Sequence, residues 1–386
     1  MKKAILIMSI SVIMLSFGFC FYNTSDNASA NESIEITAKS AYVMDFDTKT
    51  VIFAKNENEK LPIASMVKIM TSLLTFEAID SKKLSLNDEI TISSESASMG
   101  GSQLFLSANS KHTVYNLLKS VVVASANDSS HALAERLGGS ESGFVKMMNN
   151  RAKELKMENT IFANCTGLPA LNQHSTAKDV SVMLSELLKH DKYFEFCKVW
   201  LEDYTHPDGR ITTITNTNKL TRFYKGCDSG KTGFTNEAMF CLAASAKRGD
   251  MRIVSTIIGS PDSKTRFKEV SNMFNYAFGA YENKVLYNMN TEIANSVEVL
   301  KGKKSTIQIV PKKNITAFTK RGDNAEIEVK FELPTSVIAK ISAGDVIGKA
   351  VVIKNGVVID EIDLIANETI EKASFMDIIR RITDNW

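Results

Sequence analysis

The sequence predicts an α+β fold in which an antiparallel sheet flanked by helices precedes a small all-β module and a C-terminal amphipathic helix. Strand-like patterns stand at both ends of the segment 40–260, with helical patterns between them. We expect the first and last strands to share one antiparallel sheet, because the helices between them need an apolar sheet face to cover. Strand patterns alone continue beyond residue 290, and the last residues return to a helical period.

The first thirty residues have the order of a secretory signal. Lys2 and Lys3 precede an uncharged stretch over 4–22, and the small residues at 28–30 have the A-x-A form of a cleavage site. Residues 1–30 are therefore predicted to be a signal peptide that directs export. An uncleaved membrane anchor is the alternative, because the uncharged stretch is nearly long enough to span a bilayer.

The composition is that of a globular protein. The chain has 386 residues, of which 44% are hydrophobic and 23% charged, and its net charge is +2. This balance excludes a disordered chain and gives no sign of a nucleic-acid partner. The length favours two domains. We predict an α+β domain over 31–285, an all-β domain over 286–370 and an amphipathic helix over 371–386.

Each element of the larger domain has its own local signal. Two strands around an Asp-Thr-Lys turn come first, in AYVMDFDTKTVIFAKN. A helix is expected to begin near Ala64, after Pro62. The segment 113–137 predicts two helices with a break at Ala126-Asn127-Asp128. The later elements are helices at 142–156 and 176–189, strands in GRITTITNTN, GKTGFTN, EAMFCLAASAKR and MRIVSTIIG, and a closing helix at 263–280.

The C-terminal region has different patterns. In AEIEVKFEL apolar residues alternate with charged ones, which predicts a half-buried strand. Asn355-Gly356 between two apolar runs predicts a hairpin. The last stretch, SFMDIIRRITDNW, places its large apolar residues on one helical face. That helix either lies in a membrane interface or packs on the β module, and the pattern favours neither.

Several reaction classes lose their usual sequence support. The chain has no CxxC, HExxH, GxGxxG or GxSxG motif, so no metal site or cofactor is predicted. The cysteines outside the predicted signal are Cys165, Cys197, Cys227 and Cys241. A domain of this size does not need disulfides, and Cys241 has the surroundings of a small core residue.

The candidate chemistry starts in LPIASMVKIMT, where Ser65 and Lys68 stand three residues apart in an apolar run. Residues at this spacing are neighbours on one face of a helix, so the lysine amine can reach the serine hydroxyl. Serine needs an adjacent base to act as a nucleophile. Burial and a second cation would lower the pKa of Lys68 enough for it to accept a proton.

Two further motifs follow in the order that such chemistry needs. Ser125 and Asn127 are expected on a loop, where they offer a hydroxyl relay and an amide for a substrate peptide group. Lys231 and Thr232 offer a cation and a hydroxyl to a carboxylate, and Gly233 on a strand is expected to leave room for substrate. Taken alone, Ser125 and Asn127 are better explained as helix caps and Lys231-Thr232-Gly233 as a surface turn, but the three motifs together favour acyl transfer.

These motifs resemble those of the low-molecular-mass penicillin-binding serine D-alanyl-D-alanine carboxypeptidases. The resemblance covers nearly all of the mature chain and rests on LPIASMVKIMT, VVVASANDSSHALAE, NTNKL and GKTGFTNEAMFCLAASAKR, with the trailing β module and its terminal helix. It implies a fold like that of serine β-lactamases and transpeptidases, and an extracytoplasmic enzyme at the outer face of the cytoplasmic membrane. The implied partners are peptidoglycan pentapeptide stems and β-lactam antibiotics, with peripheral membrane contact through the terminal helix.

The resemblance also implies roles for individual residues. Ser65 would attack the carbonyl between the two terminal D-alanines, Lys68 would take the proton, and Ser125 would relay it to the leaving D-alanine.

The remaining roles are in binding. Asn127 would orient the substrate backbone, while Lys231 and Thr232 would bind its carboxylate with help from Thr235. The backbone N–H groups of Ser65 and Phe234 would bind the oxyanion.

One departure from the family stands in FANCTGLPALNQHSTAKD, where Cys165-Thr166 replaces a Pro-His found in other members. We expect it to alter the edge of the cleft without touching the acyl-transfer groups.

Other functions remain as alternatives. A class A β-lactamase would need a glutamate followed four residues later by asparagine between the second and third motifs, and residues 125–231 contain none. A non-catalytic peptidoglycan-binding protein is the other alternative. Carboxypeptidase, endopeptidase and transpeptidase activities share the acylated serine, so the sequence leaves the choice among them open.

Overall fold

A computed structural model gives the fold of residues 34–293 and 297–377. The strands of the larger domain are β1 Ser40–Asp45, β2 Val51–Lys55, β3 Glu89–Thr91, β4 Lys111–Thr113, β5 Leu201–Thr205, β6 Ile211–Thr215, β7 Cys227–Thr235, β8 Met239–Arg248 and β9 Met251–Ser260. Its helices are α1 Lys68–Asp80, α2 Ser94–Ala97, α3 Val114–Val123, α4 Asn127–Gly138, α5 Glu141–Glu154, α6 Ala177–Leu187, α7 Asp191–Cys197, α8 Leu220–Phe223 and α9 Ser263–Ala280. A 3₁₀ turn, Ala64–Val67, leads directly into α1.

The central sheet has the strand order β2-β1-β9-β8-β7 and is antiparallel throughout. Strand β1 pairs with β9, with Val43 opposite Ser255, so the first and last strands share one sheet as predicted. Strand β7 pairs only with β8 among the described residues, which makes it an edge strand.

The sheet lies between two helical layers. Successive side chains of a strand point to opposite faces, and β1 illustrates this period. Met44 belongs to the apolar core that includes Leu73 of α1 and Met183 of α6. Val43 belongs to the core on the other face, which includes Phe274 of α9. An α+β domain with one antiparallel sheet is thus confirmed.

Helix caps fix several of the predicted boundaries. The Thr176 hydroxyl accepts a hydrogen bond from the Asp179 N–H at 3.0 Å, so α6 begins where its capping pattern indicated. Asp262 caps α9 in the same way through the N–H of Thr265. The helix predicted near Ala64 is also present. The strand β5 and the short helix α7 were not predicted.

The C-terminal region is an all-β module, as predicted. Its strands are β10 Tyr281–Tyr287, β11 Val297–Leu300, β12 Thr306–Ile307, β13 Ile309–Pro311, β14 Ile315–Lys320, β15 Ile327–Glu332, β16 Ser336–Ile338, β17 Val346–Lys354 and β18 Val357–Ala366. The predicted Asn355-Gly356 turn joins β17 to β18, and both turn residues have positive φ angles, 49° and 78°.

The β module follows the larger domain without a linker. Helix α9 ends at Ala280 and β10 begins at the next residue, pairing with β14. Lys313 forms ion pairs with Asp47 at 3.1 Å and with Asp360 at 3.3 Å, and so joins the two regions. Strand β10 crosses residue 285, where the sequence placed the domain boundary; that boundary stays a prediction.

Two predictions for the termini concern residues outside those that the structure describes. These are the signal peptide at 1–30 and most of the terminal helix at 371–386. Just before the described chain ends, Phe375 and Met376 are 76% and 63% exposed. Within 34–293 and 297–377, none of the helices has the length and apolar character required to cross a membrane.

Candidate active site

The Ser65 hydroxyl and the Lys68 amine lie together at the start of α1. The Nζ–Oγ distance is 3.1 Å, which confirms the contact expected from their spacing. Lys68 is fully buried, whereas Ser65 is partly exposed. A nucleophile open to the cleft therefore has a base behind it that solvent does not reach.

Burial lowers the pKa of Lys68 to about 7, against smaller opposing effects of Cys165 and Asp128. At neutral pH a large share of this amine is therefore unprotonated and able to accept a proton. The second expected cation is Lys231, but burial alone accounts for the lowered pKa of Lys68, so a contribution of a second cation to that shift is not borne out. Burial, followed by the charge of Lys68, lowers the pKa of Lys231 well below its ordinary value.

The Lys68 amine also donates to the backbone carbonyl of Thr166. The segment therefore contacts the base through its backbone, a contact that the expectation about the Cys165-Thr166 replacement did not include. The neighbouring carbonyl of Cys165 accepts hydrogen bonds from Thr71 Oγ1 at 2.7 Å and Ser130 Oγ at 2.8 Å. The segment 165–166 therefore positions the Lys68 amine through backbone carbonyl groups. Because every residue has such a carbonyl, the side chains at 165 and 166 gave no sign of this role.

Ser125 lies in the break between α3 and α4 and faces the third motif. Its hydroxyl accepts a hydrogen bond from Lys231 Nζ at 2.8 Å. Ser125 has a φ of 64°, a left-handed conformation that is uncommon outside glycine and turns the side chain away from the helix direction. The second and third motifs are thus in contact, although 106 positions separate the two residues.

Asn127 is the first residue of α4, not a loop residue, and the break lies at Ala124–Ala126, earlier than predicted. The chain turns there because Ser125 has its left-handed conformation and Ala126 is extended. Asn127 Nδ2 donates to the Gly100 carbonyl at 2.6 Å. Its Oδ1 is buried and has no hydrogen-bond partner among the described residues, so it can accept a donor from a bound molecule.

Strand β7 brings the third motif against the nucleophile. A Cβ atom at Gly233 would lie 2.6 Å from the Ile63 carbonyl oxygen and 3.2 Å from Ala64 Cβ. The glycine therefore allows β7 to approach the 3₁₀ turn that carries Ser65. Leaving room for substrate, the reason that the sequence suggested, is not what this geometry shows.

The remaining predicted residues end β7. Thr232 is 7% exposed and Phe234 53% exposed, with the Phe234 ring tilted by 33° against the ring of Phe240 at a centroid distance of 4.4 Å. Thr235 Oγ1 accepts a hydrogen bond from the Ala238 N–H at 3.0 Å, so this hydroxyl also closes the turn into β8.

Sequence reasoning missed Arg266, which lies on α9 behind β7. Its Nη1 donates to the carbonyls of Gly233 at 3.2 Å and Cys241 at 3.1 Å. Burial lowers its pKa to about 10. The one sequence feature that could have drawn attention to Arg266 is its position on the apolar side of the helix predicted at 263–280.

Comparison with known proteins places this site in a family. A model described as D-alanyl-D-alanine carboxypeptidase matches residues 25–262, and one described as the C-terminal domain of penicillin-binding protein 5 matches residues 281–372. The chain is 38% identical to D-alanyl-D-alanine carboxypeptidase DacF of Bacillus subtilis over 100% of this chain and 99% of that one. It is 29% identical to DacC of Escherichia coli over 93% of this chain and 91% of that one.

Solved structures give the same result. The crystal structure of penicillin-binding protein 5 from Haemophilus influenzae has a TM-score of 0.67 and 27% identity, over 88% of this chain and 98% of that one. The DacD carboxypeptidase from Francisella tularensis has a TM-score of 0.67 and 25% identity, over 92% and 100% of the two chains. With a family model over more than half of its length and a relative matched end to end, the chain belongs to the peptidase S11 family of D-alanyl-D-alanine carboxypeptidases.

Proposed function

We propose that this protein is a serine D-alanyl-D-alanine carboxypeptidase that removes the terminal D-alanine from peptidoglycan stem peptides through an acyl-enzyme on Ser65. The observation that carries the proposal is the 3.1 Å contact of the Ser65 hydroxyl with the buried amine of Lys68. Family membership supports the reaction, and the geometry of the three motifs supports the assignment of residues.

Acylation begins with a neutral Lys68. The Ser65 oxygen attacks the carbonyl carbon of the penultimate D-alanine, and its proton moves to Lys68 Nζ. The negative charge that forms on the carbonyl oxygen is held by the backbone N–H groups of Ser65 and Phe234. Donors of this kind each contribute a factor of about 10² to 10³ in rate.

The tetrahedral intermediate then collapses. The bond to the terminal D-alanine breaks, and its nitrogen takes a proton from the Ser125 hydroxyl, which Lys68 replenishes. Lys231 and Thr232 hold the carboxylate of the leaving D-alanine, and Asn127 holds the substrate backbone. Water attacks the resulting ester, Lys68 again acts as the base, and the shortened peptide leaves.

β-Lactams are expected to acylate the same serine. They present a carbonyl for Ser65 and a carboxylate for Lys231 and Thr232, as the substrate does. Their leaving group stays attached, so the acyl-enzyme is expected to be long-lived. The absence of a glutamate four residues before an asparagine within 125–231 supports slow release over β-lactamase activity.

The test joins two measurements. Wild-type protein should release free D-alanine from a synthetic stem pentapeptide and should be labelled covalently by a fluorescent penicillin. Ser65→Ala should lose both signals while keeping the unfolding transition of the wild type. Rapid turnover of nitrocefin would favour a β-lactamase, and the absence of any label on the wild type would favour a non-catalytic binding protein.

Family membership implies action outside the cytoplasm on cell-wall peptides. We further propose that residues 1–30 direct export, that 31–285 form the catalytic domain and that 286–370 form the separate β domain. Residues 371–386 are proposed to contact the membrane surface peripherally. Exposed Phe375 and Met376 at the start of that segment support this last proposal.

A further inference from the structure

A cluster of side chains that can bind a metal ion lies where α2 packs against α4. Glu95 on α2 and His131 and Glu135 on α4 each present one ligand atom, and these atoms lie within 4.8 Å of one another. His131 and Glu135 are an i,i+4 pair and therefore share one face of α4. None of these residues has a role in the acyl transfer proposed above. We call them the α2–α4 cluster.

The two ligand atoms on α4 already have the spacing that a metal ion requires. His131 Nδ1 lies 3.6 Å from Glu135 Oε2. Two ligands that are each about 2.0–2.2 Å from one tetrahedral zinc ion lie about 3.3–3.6 Å apart. The Ser96 hydroxyl contacts both atoms, at 2.9 Å from the nitrogen and 2.8 Å from the oxygen, and keeps them facing each other. Glu95 is exposed, so rotation of its side chain can bring its carboxylate to the same point.

The histidine has the surroundings of a metal ligand. Its ring is 3% exposed, and its second nitrogen, Nε2, lies 3.9 Å from Oε2 of Glu141 at the start of α5. Metal-binding histidines usually have a carboxylate or carbonyl at the second nitrogen, which favours the proton there and leaves the first nitrogen free to bind the ion. Glu141 therefore favours a His131 ring whose Nδ1 lone pair faces Glu135.

The cluster also has an excess of negative charge. Glu95, Glu135 and Glu141 are three carboxylates around one imidazole. Among the residues that the structure describes, none of these carboxylates forms an ion pair with a lysine or an arginine. Like charges at this distance repel each other, and a divalent cation between them removes the repulsion. The exposed position of Glu95 gives such an ion a path from the solvent.

We propose that the α2–α4 cluster binds one divalent transition-metal ion of the zinc class through Glu95, His131 and Glu135. Water is the fourth ligand of a tetrahedral shell. One imidazole with two carboxylates favours zinc over magnesium and calcium, which prefer oxygen ligands alone. No zinc motif predicted this site, because Glu95 stands on a different element of the chain from the two ligands on α4.

The ion holds the segment 98–106 beside the second motif. This segment follows α2 directly. Its Gly100 and Ser102 carbonyls accept hydrogen bonds from Asn127 Nδ2 at 2.6 Å and from the Asn127 N–H at 2.7 Å. Asn127 begins α4, the helix that carries two of the three ligands. A metal ion between α2 and α4 therefore fixes both ends of the connection to Asn127.

Zinc binding to the purified full chain tests the site. After treatment with a chelator, equilibrium dialysis should show one Zn²⁺ per chain, and an excess of Mg²⁺ should not displace it. Zinc at about a hundred times its Kd should raise the midpoint of thermal unfolding by about 5–10 °C. It should also slow amide hydrogen exchange in the segment 94–106. Co²⁺ in place of zinc should give a visible spectrum without the charge-transfer band of a thiolate ligand.

Variants that remove one ligand at a time identify the binding residues. Glu95→Gln, Glu135→Gln and His131→Gln should each raise the Kd for zinc by more than about a hundredfold, and Glu141→Gln by about ten- to a hundredfold. The buried histidine also supports the fold, so its replacement can lower stability by itself. Glu95 is exposed, and Glu95→Gln should keep the zinc-free unfolding midpoint of the wild type.

Glu158→Gln and His174→Gln replace a glutamate and a histidine outside the cluster and should leave the Kd for zinc unchanged. A wild-type chain that binds no zinc would overturn the site. So would a Kd that neither Glu95→Gln nor Glu135→Gln alters, or a thiolate band with Co²⁺. These measurements do not depend on release of D-alanine, so the metal site and the proposed function are tested separately.

Discussion

The amine of Lys68 donates a hydrogen bond to the backbone carbonyl of Thr166, although the two residues stand 98 positions apart. Together with the contact to Ser65 Oγ, this bond fixes the amine between the nucleophile and a rigid acceptor. Once the amine is neutral, the Ser65 hydroxyl can donate to its lone pair. The position and the charge of the Lys68 amine therefore determine the reactivity of Ser65.

The pH dependence of acylation is the most direct consequence. Burial lowers the pKa of Lys68 to about 7, and the neutral amine is the active form. The rate constant for acylation by a penicillin should therefore rise through about pH 7 and level off above it. Lys68→Met should lower the plateau by about 10² to 10⁴, the usual contribution of a general base. A plateau already reached at pH 5.5 would contradict a lysine base with this pKa.

Glu141 is expected to position the Thr166 carbonyl. Its Oε1 accepts hydrogen bonds from the N–H of Cys165 at 3.1 Å and from its Sγ at 3.2 Å. Glu141→Ala should lower the free energy of unfolding by about 1–3 kcal/mol, since buried donors lose their acceptor. It should also slow acylation, whereas Glu141→Gln should keep most of the rate. Exposed Glu158→Ala serves as control, and an unchanged acylation rate in Glu141→Ala would exclude this role.

Arg266 is expected to orient the oxyanion donor. The Gly233 carbonyl and the Phe234 N–H belong to one planar peptide and point in opposite directions. By holding that carbonyl, Arg266 aims the N–H away from α9. Arg266→Gln should cost about 1.5–3 kcal/mol of stability and reduce kcat more than it raises KM. Lys264→Gln, exposed on the same helix, should do neither. A change confined to stability would show that Arg266 only supports the fold.

Gly167 is expected to tolerate no side chain. Its φ is 83°, and a Cβ atom there would lie 2.0 Å from the Ala64 carbonyl oxygen, next to the nucleophile. Gly167→Ala should lose more than about 1 kcal/mol of stability and most of the acylation rate. The control variant Gly279→Ala, inside helix α9 with nothing within 4 Å of the added Cβ, should lose neither stability nor acylation rate. Thermal unfolding and penicillin labelling measure the two effects.

Carboxylate binding should bring a proton to Lys231. Burial lowers its pKa well below the ordinary value, and an arriving carboxylate favours the charged form. In Ser65→Ala, which cannot be acylated, binding of the stem peptide should therefore take up protons. Calorimetry in buffers of different ionisation enthalpy measures the number. Proton release on binding would contradict the assignment of the carboxylate to Lys231.

Local patterns were sufficient for most elements of the fold. The helix over 263–280 and the Asn355-Gly356 hairpin were confirmed because their signals lie within a few residues of each other. The same holds for the contact of Ser65 with Lys68. The helix break was misplaced because it depends on the left-handed Ser125, which no local rule requires.

Contacts between residues far apart in the chain could not be predicted from the sequence, and the reason is physical. Thr166 acts through its carbonyl, a group that every residue has, so its side chain gave no sign of the role. Arg266 binds carbonyls of β7 and β8 and likewise has no partner that a motif could reveal. Gly233 was recognised as important, but its reason, the approach of Ile63, is visible only in three dimensions.

The close packing of β7 against the turn that carries Ser65 limits which mutations there would give resistance to β-lactam antibiotics. Gly233 touches the nucleophile turn on one side, while its carbonyl is held by an arginine on the other. A mutation there that discouraged a drug would also disturb the machinery for the natural peptide.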